Sequence, residues 1–312
     1  MHLFGSLLLY VFVCVLVIVV LMLKSKVGKG QQFLRFYANM AGGLALKDVV
    51  ASLEQFAPLS YAEKWDNVGL LLEPYNQKPV EKIILTNDLT EAVMHEAIEK
   101  KANMILSYHP PIFAALKRIT QKDWKQRIVS MCFANAIAMY SPHTAWDATL
   151  GGVNDWLASA LPVKDIKPIQ PLANCEDPNV GSGRVFSTNI SLEKAIKAVQ
   201  NHIGLDVHVA MGVEHSAATT IQKVAVCAGS GASLLRGVQA DLYITGEMSH
   251  HEVLDANHQN VSVILCNHSN SERGFLKKFK PKLEDMLNGQ CEVIVSEADE
   301  DPIKTHVKPK DN

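Results

Sequence analysis

The sequence predicts an α/β protein made of two related α/β/α lobes, each built on a largely parallel sheet. Three observations carry that expectation. Short apolar, β-branched runs alternate with segments of helical spacing, the pattern of strand–helix–strand units with right-handed crossovers. The alternation occurs twice, over 82–140 and again over 224–265. In both halves the strand runs end in short polar loops that carry histidine.

The N-terminus stands apart. Residues 3–23 (LFGSLLLYVFVCVLVIVVLML) hold no charge and match the ~20 apolar residues needed to cross a bilayer. Lys24, Lys26 and Lys29 follow the run and only His2 precedes it, so an anchor here leaves the globular part in the cytosol. A cleaved signal peptide fits less well, because the apolar core is too long and no A-x-A site follows. A third reading makes the run an optional extension, with Met40 as a second start. The protein is then cytoplasmic or mitochondrial, and membrane attachment depends on whether 3–23 is retained. The expected organisation is an apolar extension at 1–30, a linker at 31–43, a first lobe at 44–170, a second at 171–302 and a flexible tail at 303–312.

Within the first lobe, a helix is expected over 47–56, where Val50, Leu53 and Phe56 share a face. Trp65-Asp66-Asn67-Val68-Gly69 is turn chemistry ahead of an apolar run. The run 82–86 (KIILT) is a strand, with Asp88 as N-cap and Glu91 as its capping-box partner for a helix to about Lys101. The strand at 104–107 ends in Tyr108-His109-Pro110-Pro111, and a helix at 124–134 leads to a strand at 136–140 followed by His143. Gly151-Gly152 gives a tight loop before a helix at 154–160. Residues 161–183 are a connection, and 192–203 form an amphipathic helix.

In the second lobe a strand at 224–227, a Gly229-Ser230-Gly231 turn and a helix at 232–238 lead to a strand at 242–245. A loop with Glu247, His250 and His251 and a helix to Ala256 come next. The buried strand 261–265 then opens onto Cys266-Asn267-His268. Ser271 is expected to cap a helix from about Glu272, and Pro281 to kink or restart it. A last strand is expected at 291–296.

Composition excludes several classes. Hydrophobic residues are 48% of the 312, charged residues 20%, and the net charge is −2. No long basic block is present, so direct nucleic-acid binding by charge is not indicated. The six cysteines form no CxxC pair, as expected of reduced core thiols.

Parallel strands place every carboxyl end on one edge, where ligands bind. Asn87, Asp88, His109, His143 and Asp147 reach that edge in the first lobe; Glu247, His250, His251, His268 and Glu272 do so in the second. His268 and Glu272 are four apart and share a face if a helical turn spans them. Taken singly, each is an ordinary polar loop residue. Taken together, imidazoles and carboxylates without a thiolate suit a divalent zinc, iron or manganese ion. The Gly229 turn can cradle an anion, although a turn that merely needs glycine is the simpler account. No GxGxxG, GxxxxGK[ST] or GxSxG pattern occurs.

Five segments carry a resemblance: KWDNVGLLLEP (64–74), ILSYHPPIF (105–113), YSPHTAWDATLGGVNDWLA (140–158), ADLYITGEMSHHEVLDA (240–256) and VILCNHSNSERGFL (263–276). Together they resemble the Nif-three-like family, also called the GTP cyclohydrolase type-two-like family, and most nearly its eukaryotic branch. The resemblance spans roughly 44–302. It implies a homo-oligomer, a dimer or a hexameric ring, with a dinuclear metal site between the lobes. It also implies His109, Asp147, His268 and Glu272 as ligands. The first histidine of the family's His-His pair is Tyr108 here. A phenol with an ordinary pKa of about 10 is a poor ligand. One tight ion is therefore expected, with a weaker second completed by Tyr108, His250 or water; His251 is a further candidate. His143 matches the family histidine beside the site.

Two functions compete. In the first, the protein is a metal-dependent hydrolase of a small heterocyclic or nucleotide substrate, with His143 or His250 as catalytic proton shuttles. In the second it is a non-enzymatic oligomeric scaffold that binds a transcription regulator and holds a structural metal.

Overall fold

The computed structural model describes residues 42–173 and 175–304. The apolar run at 3–23, most of the linker and residues 305–312 of the tail lie outside the described residues. Among the described residues no helix is long and apolar enough to cross a membrane.

The first half of the chain forms α1 (Leu46–Phe56), β1 (Gly69–Leu72), β2 (Lys82–Thr86), α2 (Glu91–Glu99), β3 (Met104–Ser107), α3 (Trp124–Ala134), β4 (Ala138–Ser141), α4 (His143–Ala148) and α5 (Val153–Ala158). The second half begins with β5 (Lys164–Lys167), β6 (Gln170–Pro171), β7 (Gly181–Ser182), β8 (Arg184–Ser191), α6 (Leu192–Ile203) and β9 (His208–Ala210). It continues with β10 (Thr220–Ser230), α7 (Ala232–Leu235), β11 (Leu242–Glu247), α8 (His250–His258), β12 (Ser262–Leu265), α9 (Gly274–Met286) and β13 (Glu292–Val295).

These strands build two main sheets. The first has the order β1-β4-β3-β2-β13, with only the β1–β4 pairing antiparallel. The second has the order β5-β8-β10-β11-β12-β9. Its centre, β10-β11-β12, is parallel, and β5, β8 and β9 flank it antiparallel. The expected α/β architecture is therefore present. The two sheets are not each one contiguous stretch of chain: β13, close to the C-terminus, returns to pair with β2 in the first sheet.

Period-two alternation sends each strand's side chains into two cores. Ile83 and Leu85 of β2, Met104 and Leu106 of β3, Val224 and Val226 of β10, and Ile244 of β11 all enter one central cluster. Helices α1, α4, α5, α6 and α9 add to it, Trp146, Phe275 and Phe279 among their contributions. On the outer face of the first sheet, Ile84 and Ile105 pack against Val93 and Met94 of α2 and Ile128 of α3. On the outer face of the second, Ala225, Tyr243 and Val263 pack with Leu235 and Ala256. One shared core thus fixes the two sheets against each other.

Several expectations need correction. Thr90, not Asp88, caps α2, its side chain accepting from the Val93 amide; Asp88 is occupied elsewhere. Ser271 caps no helix: a 3-10 turn (Ser269–Ser271) precedes α9, which starts at Gly274. Pro281 lies inside α9 without restarting it. Strand β10 is far longer than 224–227, and the helix expected at 232–238 is only Ala232–Leu235.

Candidate metal centre

The carboxyl ends of the two parallel runs meet. His109 leaves the end of β3, its amide donating to the Asn87 carbonyl at 3.0 Å. His268 follows β12, where Asn267 takes a left-handed φ of 64° to turn the chain, a conformation asparagine tolerates better than most residues. The two imidazole rings lie 5.2 Å apart, centroid to centroid. Glu272, only 3% exposed, sits between them: Oε2 is 3.4 Å from His109 Nε2 and Oε1 is 3.4 Å from His268 Nε2. One ligand atom from each of these three residues lies within 4.8 Å of the others.

Both imidazoles are oriented from behind. Asp88 Oδ1 lies 2.9 Å from His109 Nδ1, and Glu247 Oε1, at the end of β11, lies 2.9 Å from His268 Nδ1. A carboxylate accepting from Nδ1–H fixes the tautomer that leaves Nε2 free to bind a cation, the usual support for a metal-binding histidine. Without a cation the cluster holds its own charge. Burial opposes a charge on His109, but Glu272 and Asp88 outweigh it and raise its pKa to about 10. Burial likewise opposes a charge on Asp88, yet the His109 partnership holds its carboxyl below the usual range.

The backbone around the cluster is cut to fit. Gly229 has a φ of 66°, and a Cβ there would fall 2.5 Å from Glu272 Oε1 and 3.1 Å from His268 Nε2. Ser271 acts as a strut, accepting from the Gly229 amide at 2.8 Å and donating to the His268 carbonyl at 2.6 Å. Asn87 donates to Glu272 Oε2 at 3.1 Å, while its own Oδ1 is buried without a partner. Two imidazoles and a buried carboxylate, with a second carboxylate nearby, are a donor set that fits zinc, iron or manganese.

That second carboxylate is Asp147 of α4. The Tyr108 hydroxyl donates to its Oδ1 at 2.6 Å. Burial raises the Asp147 pKa to about 6 against the opposing Tyr108 hydrogen bond. Burial, with the adjacent Asp147 and Glu272, pushes the Tyr108 phenol well above 10. Tyr108 thus donates to Asp147, and its burial beside two carboxylates disfavours the ionised phenol.

His143 repeats the pattern of the other two. Its Nδ1 lies 2.8 Å from Asp66 Oδ1, and Asp66 Oδ2 accepts from the Thr144 amide at 3.1 Å. Its ring stands 5.2 Å from that of His109. His143 also has a φ of 29°, a sparsely populated conformation of the kind that clusters at functional sites. His250 and His251 are placed differently. They contact each other, 5.4 Å between rings, at the exposed start of α8, outside the cavity described next.

A cavity of about 760 Å³ opens beside the cluster. His268, Glu272, Asp147 and His143 form one side of it, Trp65 and Phe113 lie along it, and Gln170, Ser230 and Ser233 belong to the second half of the chain. Sequence reasoning missed Asp66 as the partner of His143 and assigned Asp88 to a helix cap. Asp88 lies two residues past the end of β2, at the strand-end edge. Asp66 sits in a turn 77 residues before His143, and no local pattern joins them.

Comparisons with known proteins bear on the fold and the family. The profile of Duf34/NIF3 (NGG1p interacting factor 3) matches residues 44–302. NIF3-like protein 1 of Drosophila melanogaster is 57% identical over 267 residues, covering 86% of this chain and 91% of that protein. NGG1-interacting factor 3 of Saccharomyces cerevisiae is 40% identical over 279 residues, covering 83% and 96%. Among solved structures, a Bacillus cereus protein related to NIF3 has a TM-score of 0.73 at 20% identity, covering 83% and 98%. Reduced HcgD from Methanocaldococcus jannaschii has 0.69 at 26%, covering 80% and 96%. A profile that spans nearly all the described residues and a relative 57% identical leave one assignment: the chain belongs to the Duf34/NIF3 family.

Proposed function

We propose that the protein binds a divalent cation through His109, His268 and Glu272, with Asp147 as the next ligand, and hydrolyses a small heterocyclic substrate. The observation that carries this reading is the convergence of three ligand atoms within 4.8 Å, two of whose residues, His268 and Glu272, line a cavity large enough for a small molecule. Such a cation supplies Lewis acidity and makes water nucleophilic near neutral pH. The chain's own residues do the rest. Asp88 and Glu247 keep Nε2 of His109 and His268 aimed inward. Tyr108 and Asn154 hold Asp147, the first through its hydroxyl and the second by donating to its backbone carbonyl at 3.1 Å. His143, steadied by Asp66, presents its other ring nitrogen as a proton donor or acceptor.

The test is elemental analysis together with hydrolysis assays over a panel of nucleosides and nucleotides. Glu272→Ala should remove all bound metal and abolish turnover; stoichiometric metal in that variant overturns the site. A second reading has one observation in its favour, the name of the yeast relative, which describes an interaction with NGG1. In that reading the chain is a homo-oligomeric scaffold for a transcription regulator. Partner capture unchanged by Glu272→Ala, with no turnover by the parent protein, would favour it.

A further inference from the structure

The cavity beside the cluster is lined asymmetrically. Trp65 is 60% exposed and Phe113 50% exposed, yet their rings pair at 6.1 Å and 51°, and Trp65 meets the His143 ring at 6.1 Å and 76°. Large aromatic faces left open at the wall of a cavity are places for a flat ring to stack. Gln170, Ser230 and Ser233 line the same space and offer neutral polar groups to a ring edge.

The charges point the same way. Glu63, Asp147 and Glu272 line the cavity, and among its described lining residues there is no lysine or arginine. Arg184 follows the lining residue Gly183 but is fully engaged. It holds Asp155 through Nε and Nη2, the Gly181 and Gly183 carbonyls through Nη1, and the Thr149 carbonyl. The Gly229-Ser230-Gly231 turn is no phosphate cradle either. The Gly229 amide donates to Ser271 Oγ and the Gly231 amide to Thr245 Oγ1, and the helix that follows has only four residues. Phosphate recognition draws on free cations or on a nest of free backbone amides; here both glycine amides of the turn are taken and the described lining offers no lysine or arginine. A single divalent cation offsets two of the three lining carboxylates, Glu63, Asp147 and Glu272, and leaves one uncompensated.

We propose that the cavity takes a neutral or cationic heteroaromatic compound without phosphate, a nucleobase or nucleoside, stacked on Trp65 and Phe113. The inference rests on the preceding reading only in taking this cavity as the substrate site. It narrows the substrate class to compounds that carry no phosphate.

Titration calorimetry on the zinc-loaded full chain at fixed ionic strength tests it, with adenosine, guanosine, cytidine and uridine each compared with its triphosphate. At least one nucleoside should bind tenfold or more tightly than its triphosphate. Trp65→Ala should weaken that nucleoside by tenfold or more, the scale expected for one lost stacking partner, with zinc content unchanged. Glu63→Lys should narrow the gap by strengthening the triphosphate. The inference is overturned if triphosphates bind as tightly as nucleosides, if no nucleoside binds, or if Trp65→Ala changes nothing. Nucleoside binding without turnover removes the hydrolase reading and leaves this one standing. Tight triphosphate binding with metal-dependent turnover does the reverse.

Discussion

At the scale of single residues, the site is three imidazoles each backed by a carboxylate: His109 by Asp88, His268 by Glu247 and His143 by Asp66. Removing a supporting carboxylate leaves the ligand free to rotate and lowers its basicity, which typically weakens metal binding about 10–100-fold. Asp88→Ala should therefore retain the fold and lose about that much zinc affinity, measured by competition with a chromogenic chelator. Unchanged affinity would mean that His109 is oriented by something else. The ligand candidates themselves were legible in the sequence, because each follows the carboxyl end of a parallel strand or lies a turn beyond it. Their supports were legible only in part. Glu247 and Asp88 also end strands, but an aspartate two residues past a strand is as good a helix cap as a histidine partner. Only the position of Thr90, which takes over the cap, decides between those roles. His250 and His251 show the opposite error: a His-His pair after a strand looks like a ligand pair, yet α8 begins there and turns both rings outward into an exposed contact with each other.

At the scale of elements, the parallel centres of both sheets follow from alternation that any short window displays. The edge strands do not. β5, β8 and β9 pair across long sequence separations, and β13 joins β2 from the far end of the chain, so nothing local announces them. One side chain locks that last return. Glu96 on α2 accepts from the Glu297 amide at 3.1 Å, the Ala298 amide at 3.1 Å and the Ser296 hydroxyl, and pairs with Lys100 at 2.8 Å. Burial opposes its charge, but these donors prevail and lower its pKa to about 2. Hydrogen bonds to a charged group contribute about 1.5–3 kcal/mol, so Glu96→Ala should lose roughly that amount in urea unfolding near neutral pH. The sign is fixed by the depressed pKa. The contribution is present above the unfolded value near 4.5 and disappears as pH falls towards about 2. The gap between Glu96→Ala and the parent protein should therefore close across that window. A gap that persists at the acid end would place the loss in packing, not in the carboxylate.

At the scale of the whole molecule, the cluster is also the point where the strand ends of one sheet face those of the other. His109 belongs to the first and Glu272 follows the second, and their contact at 3.4 Å is an ion pair when no cation is present. The His109 pKa of about 10 lies above the ordinary 6.5, so this pair contributes fully below about pH 6.5 and is lost as pH rises through about 10. A cation bound as proposed would invert that dependence, because an imidazole must be neutral to ligate and binding releases its proton. Chelator-treated protein should then melt at lower temperature at pH 9.5 than at pH 6.5. The shift should be about 2–4 °C for each kcal/mol lost, the scale for a chain of this size. Zinc at fixed free concentration should stabilise more as pH rises over the same range, since ligation adds RT ln(1 + [L]/Kd) and Kd falls as His109 deprotonates. His109→Gln should flatten both trends. Melting curves that follow one pH trend with and without zinc would show that the contact between the two sheet edges is neither the ion pair nor the metal ligand described here.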